Sequence, residues 1–297
     1  MKHADQHVRE EGALAYLRRP SVPRIKQLGE LLGDSHPAVR KLVSNGLYEL
    51  SMKPEFDEAV RSAGIQSLNG NRWQGQSQAA LLLGMLDHKP AADRLVELLE
   101  STRPEVMIDT AWALRKVAVP HSASGIVDKL LRQSVERRLR PIPGVDDQIA
   151  HLFEACGVLK VREVEPLILK YIPKDLTMIR SRGAAIWTLG KLQAGTFNEM
   201  LCNQLMARFL DVASMDPEHP LIRQLSVVGI VRMNGTNHAP VLRDSISGGT
   251  PPTSLGLATR WAVREFTGEE LPEPVPDSYP QGVWFLERLD SPKALSR

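Results

Sequence analysis

A chain of 297 residues, 42% apolar and 24% charged, is too apolar for a disordered polypeptide and long enough for two average domains or one elongated array. Its 37 basic residues stand against 35 acidic ones, a formal charge of only +2 with no long block of either sign, which argues against a dedicated binder of phosphate backbones. Aromatic residues make up 5% and β-branched runs are scarce, which excludes a sheet-rich core and predicts an aliphatic, all-α one.

The first twenty residues, MKHADQHVREEGALAYLRRP, lack the apolar stretch of a secretory signal, and no apolar run reaches the roughly 18 residues of a membrane span. A cytoplasmic protein without membrane association is expected. Cys156 and Cys202 each fall inside an apolar helical segment and read as free buried thiols rather than a disulfide framework. His3 and His7 have the spacing that sets two imidazoles on one helical face, but no third ligand lies nearby, so no metal and no cofactor are expected.

Self-similarity organises the rest. Aligned on an apolar, any, any, apolar pattern, the chain places anchors at Ala15, Tyr48, Gly84, Arg115, Gly157, Gly190, Val231 and Arg264, spaced by 33, 36, 31, 42, 33, 41 and 33 residues. The residue before each anchor is apolar in all eight copies, from Leu14 and Leu47 to Ile230 and Val263, and so is the residue two after it, from Leu17 to Phe266. Two residues before the anchor stand Ala13, Gly46, Leu82, Ala113, Ala155, Thr188, Gly229 and Ala262, of which seven are small. At about 3.6 residues per turn these columns share one helical face, and small residues there let a neighbouring backbone come close. Gly46, which costs about 1 kcal/mol relative to Ala in a helix interior, is explained by such a contact.

In chain order, each anchored helix is followed by a break and a second apolar-periodic segment. These are PRIKQLGELLG, PEFDEAVRSAGIQSL, PAADRLVELLES, HSASGIVDKLLRQS, REVEPLILKYIPKD, TFNEMLCNQLMARFL and HAPVLRDSI. Pro23, Pro54, Pro90 and Pro240 sit at or near their starts, where a missing N–H costs little. Each repeat is thus predicted to be a helical hairpin, and the array to occupy residues 1–267. The charges of the second segments are mixed and slightly acidic, unlike a track for phosphates.

Two-helix units of this length, opened by DSHPAVRKL and again by DPEHPLIRQL, resemble HEAT repeats, in the short form of the phycobilisome-lyase-like proteins. The resemblance covers about residues 8 to 267. It implies an armadillo-like α-solenoid, a right-handed superhelix of about eight hairpins whose concave face and inter-repeat loops bind a protein partner as a non-enzymatic scaffold. By position it also implies structural bridges of Asp34 with Arg40 and of Asp216 with Arg223. Met107 and Ile149 stand where Arg is expected in repeats four and five. The alternative is a HEAT-like enzyme, either a bilin lyase or one acting on nucleic acid. Asp109 and Trp112, three apart on one helix, match by residue type the site of HEAT-like alkylpurine DNA glycosylases. The His-Glu dipeptides that ligate iron in HEAT-like deoxyhypusine hydroxylases are absent from the sequence.

Three groups are candidate partner-binding residues. Arg132, Arg137, Arg138 and Arg140 cluster in RQSVERRLRPIPG, an insertion within the 42-residue gap, where arginine forks suit a carboxylate-rich segment or phosphate. Trp112, Trp187 and Trp261 each stand three residues before an anchor and form one structural column, either a spaced aromatic strip or rings packed sideways on the adjacent first helix. Residues 268–297 form a Pro-rich strap that cannot continue the helices, ending in VWFLERL, where Trp284 and Phe285 supply apolar surface to dock.

Overall fold

The structure of the chain is a computed structural model that describes residues 3–139, 144–212 and 215–274. It is all-helical, with no strand among the described residues, and none of the described helices is long and apolar enough to cross a membrane. The chain divides into two compact units, Met1–Asn234 and Gly235 onward. The division falls between the two helices of the seventh hairpin, whereas the sequence pattern places its only boundary at residues 267 and 268.

The first unit holds thirteen α-helices among its described residues. They are α1 (Gln6–Arg18), α2 (Val22–Glu30), α3 (Pro37–Ser51), α4 (Pro54–Leu68), α5 (Trp73–Met85), α6 (Ala92–Leu98), α7 (Pro104–Val117), α8 (Ala123–Leu139), α9 (Val145–Leu159), α10 (Glu165–Ile168), α11 (Ile179–Leu192), α12 (Glu199–Phe209) and α13 (Pro220–Arg232). Every anchor in this unit falls on an odd-numbered helix. Proline stands at the first or second position of α2, α3, α4, α7 and α13, where its ring presets the helical φ. Side-chain caps begin others: Asp5 accepts from the His7 N–H at 2.8 Å, and Asn198 from the Leu201 N–H at 3.1 Å.

The odd helices pack in unbroken succession, α1 on α3, then α5, α7, α9, α11 and α13, while α4, α6, α8 and α12 each pack on the first helix that follows. The small-residue column lies at the centre of this packing: Ala13, Gly46, Leu82, Ala113, Ala155, Thr188 and Gly229 are all buried. The glycines show how close the helices come. A Cβ on Gly46 would stand 2.5 Å from both methyls of Leu17 on α1, and one on Gly84 would stand 2.7 Å from Trp112 Cζ3 and 3.0 Å from the Ala113 backbone on α7. Gly190 approaches the Cα of Gly229 in the same way. Both cysteines are buried and unpaired, and burial pushes the Cys156 thiol up to about 12.

Two second helices differ from their sequence prediction. REVEPLILKYIPKD breaks into the 3₁₀ turn Arg162–Val164, the four-residue α10 and a second 3₁₀ turn, Leu169–Tyr171. The carbonyls of Tyr171 and Ile172 accept from Arg182 on α11, so the helix does not need to continue to satisfy them. The arginine-rich segment, read as an insertion between repeats, is instead the last part of α8 up to Leu139.

In the second unit, α14 (Ala239–Ser245) packs on α15 (Ser254–Thr267), and Ala262 of the small-residue column is fully buried there too. Gly268 ends α15 in the left-handed conformation at φ 71°, its N–H bonded to the Arg264 carbonyl at 2.8 Å. The first residues of the predicted strap then lie on this hairpin: Leu271 is buried, and Glu269 and Glu273 pair with Arg243 and Arg260 at 2.9 Å each.

The glycine contacts rank two substitutions. Gly84→Ala meets a packed indole and a backbone atom, and is expected to lower stability by about 1–3 kcal/mol despite alanine's better helix propensity. Gly46→Ala meets only the Leu17 side chain, at both methyls and Cγ, which can turn aside, and is expected to cost less than Gly84→Ala. Urea melts of the two variants check this order; equal or reversed losses would contradict it.

Candidate binding surface

Eight residues before the anchor, a donor in four of the repeats ties the first helix to the end of the hairpin before it. Arg40 donates to the carbonyls of Asp34 at 2.8 Å and Ser35 at 3.0 Å, Gln76 to Gly70 at 2.8 Å, Arg182 to Tyr171 at 3.2 Å and Asp175 at 3.1 Å, and Arg223 to Phe209 at 2.8 Å. These are backbone caps for carbonyls that have no helical partner. Met107 and Ile149, at the same position, have no donor and are buried among apolar neighbours. Gln76 belongs to the column although sequence comparison, seeking Arg, passes over it.

The Asp-Pro motif is therefore paired differently from the implied Asp34–Arg40 and Asp216–Arg223 bridges. Asp34 takes Arg9 of the preceding hairpin in a two-pronged contact, with Nε to Oδ2 at 2.7 Å and Nη2 to Oδ1 at 2.8 Å. Asp216 is exposed, and the buried acid of its segment is Glu218, which holds Arg182 at 2.6 and 3.0 Å with both side chains inaccessible to solvent. The reason is reach: Arg40 and Arg223 turn to backbone carbonyls, leaving each acid free for an arginine one repeat earlier, Arg9 or Arg182. Burial alone would raise both carboxyl groups, but hydrogen bonds from Arg182 and the His219 N–H hold Glu218 below the usual carboxylate range. Arg9 and the His36 N–H do the same for Asp34.

The Arg9–Asp34 pair borders a groove of about 1090 Å³ in the first unit. Its walls are α2 and α4, which touch through Gly29 and Ala63: a Cβ on Gly29 would stand 2.8 Å from that of Ala63. Gly33 and Gly75 lie buried at its base, where a Cβ on Gly75 would stand 2.9 Å from Ser67 Oγ and 3.5 Å from Gly33 Cα. Four carboxamides face it: Gln27 on α2, Gln66 on α4, Asn71 in the turn and Gln74 on α5. Arg72 crosses to the Gly33 carbonyl at 3.4 Å, a long contact that leaves most of its donors free. Arg9 is neutralised by Asp34, so Arg72 faces Glu30 as the remaining opposite charge in the lining. The sequence held no sign of this groove, because exposed Gln and Asn residues belong to no apolar column.

The residues singled out in the sequence do not converge on one place. Trp112 lies half-buried over Gly84 with the Arg115 guanidinium 5.3 Å from its ring, and Trp187 lies half-buried over Gly157 with Arg232 at 5.3 Å and Lys191 at 5.5 Å. Both rings thus pack sideways on the preceding first helix. Trp261 is 38% exposed and donates to Glu265 at 3.1 Å. Asp109 accepts from Ser77 on α5, and burial raises its carboxyl above the usual range, so it and Trp112 are turned to different partners on α5. Arg132 pairs with Glu100 at 2.6 Å and Arg137 donates to the Thr177 carbonyl at 2.8 Å. The Arg138 side chain, Arg140, Trp284 and Phe285 lie outside the described residues.

No family model matches the chain, and no curated protein matches it significantly. Two solved structures of engineered proteins are similar to it in part. One aligns over 89% of this chain and 75% of its own length at 16% identity with a TM-score of 0.46. The other aligns over 82% of this chain and 96% of its own at 16% identity with a TM-score of 0.41.

The buried Arg182–Glu218 pair sets two expectations. Removing one partner strands a charge away from water, so Arg182→Met is expected to cost about 3–5 kcal/mol, against about 1 kcal/mol for Arg40→Met, whose guanidinium is half-exposed and caps carbonyls. Denaturant melts compare them. Because Glu218 and Asp34 are held below their ordinary range, their contribution is full above the unfolded carboxylate range and is lost as pH falls through the lowered values. The melting temperature is expected to fall steeply below about pH 4, and to fall less steeply in Glu218→Gln. Parallel slopes for the two proteins would remove Glu218 from that account.

Proposed function

We propose that the chain is a HEAT-type α-solenoid, a right-handed superhelix of about eight hairpins, and that it works as a non-enzymatic cytoplasmic scaffold whose inner surface and inter-repeat loops bind another protein. The observation that carries this reading is the unbroken packing of α1, α3, α5, α7, α9, α11 and α13 through one small-residue column. Hairpins that pack in sequence order, each mainly on the next, build a long surface rather than a closed core, and such surfaces suit partners that contact several repeats at once. The column of carbonyl-capping donors and the two buried arginine–carboxylate pairs support the HEAT assignment, since each ties one hairpin to the next.

A balanced charge and a groove lined by amides favour a protein over a nucleic acid as partner. The commitment of Asp109 to Ser77 and of Trp112 to Gly84 favours a structural over a glycosylase-like role for that pair. Unpaired, buried Cys156 and Cys202 suit a reducing compartment.

Cross-linking mass spectrometry of the tagged chain in its native cell tests the proposal. The expected result is one protein in stoichiometric yield, cross-linked to residues of several hairpins. A salt-dependent gel shift with DNA or RNA, without a stoichiometric protein partner, would overturn it.

A further inference from the structure

The groove between α2 and α4 has the chemistry to read a polypeptide main chain, and we propose that it binds an extended, uncharged peptide segment by pairing carboxamides with backbone amides. This deepens the scaffold reading and rests on it. Gln27, Gln66, Asn71 and Gln74 each carry a donor and an acceptor in one planar group, the same pair that a peptide unit presents. None of the four makes a side-chain hydrogen bond among the described residues, whereas Gln76, two residues on from Gln74 in α5, is spent on the Gly70 carbonyl. The floor is fixed packing, since Gly29, Gly33 and Gly75 are buried and a Cβ on each would meet Ala63, Arg72 or Ser67, so recognition falls to the four amides along the trough.

Charge selects among ligands. Asp34 holds Arg9, and Glu30 opposes Arg72, so the lining carries no net field to attract a phosphate chain or an acidic peptide. A volume of about 1090 Å³ is at the upper end of what encloses a compact small molecule and suits several residues of strand running along the trough. Recognition by amide pairing is sequence-tolerant in the ligand, with small or uncharged side chains preferred where they face the two helices.

The test is selection of a displayed library of peptides about 12 residues long, ~40 Å when extended, on the full chain, followed by anisotropy titration of the enriched peptide. The triple variant Gln27→Ala, Gln66→Ala, Gln74→Ala removes only amides that the fold does not use, and its melting temperature is expected to match that of the parent. Affinity is expected to fall at least about tenfold in this variant and by a similar factor when alternate peptide nitrogens of the ligand are methylated. Raising the salt from low to high is expected to change it less than about twofold. Unchanged affinity in the triple variant, or tolerance of N-methylation, would overturn the groove assignment while leaving the scaffold reading in place. Enrichment of no peptide at all would overturn the groove assignment too, and the cross-linking result decides the scaffold reading separately.

Discussion

The close approach of successive first helices decides most of what this chain is. Where α3 meets α1 a Cβ on Gly46 would displace Leu17, and where α7 meets α5 there is no room for one on Gly84. At such distances leucines on both sides lose water together and gain dispersion contacts over the full length of each helix. A larger side chain at Gly84 would hold α5 and α7 apart and open voids between the flanking leucines, so a small residue at such a contact is a condition of burial as well as a consequence of it.

The tryptophans follow from the same constraint. Trp112 and Trp187 stand three before their anchors, and each covers a glycine that is the anchor of the preceding repeat, Gly84 and Gly157. A large ring fills the space that a missing side chain leaves one repeat earlier. In hairpins whose predecessor carries Ala15 or Tyr48 at the anchor, the corresponding residues are Asn45 and Leu81, neither of them aromatic. Gly190 is covered without a ring, by the Gly229 backbone and the stem of Arg232. Trp112 and Trp187 are therefore bound up with the spacing of the helices, and the flanking Arg115, Arg232 and Lys191 lie against their rings.

The alternation of helices was legible because it is written in apolar residues at a helical period over eight copies, and the buried status of the small column could be read from the same alignment. The polar connections were less legible. An Asp just ahead of Pro-x-x-Arg suggests that acid and base nearest in sequence meet, yet Asp34 pairs with Arg9, 25 residues before it, because Arg40 is nearer to orphan carbonyls than to the carboxylate. The same rule hid Glu218: Asp216 occupies the expected place in the motif, but only Glu218 points to Arg182. The fracture of α10 had no sign in its apolar pattern, since it depends on a guanidinium that arrives from the next helix. The amide groove depends on which exposed residues face one another across two helices, and linear spacing carries no information about that.

The buried Arg9–Asp34 pair sets one edge of the groove. Replacing such a pair by apolar residues of equal volume is often neutral or better for stability, so Arg9 and Asp34 are not explained by stability alone. They fix the register of α1 against the segment before α3 through two parallel hydrogen bonds, and they do so without leaving charge at the edge of the trough. A single apolar contact in their place would allow the two hairpins to slide, whereas the fork accepts one geometry. With the edge held and the floor fixed by the contacts of Gly29 with Ala63 and of Gly75 with Gly33, the groove is shaped before any ligand enters. A segment that binds there loses its own freedom but requires little ordering of the protein in return. Modest amide-to-amide contacts can then give useful affinity.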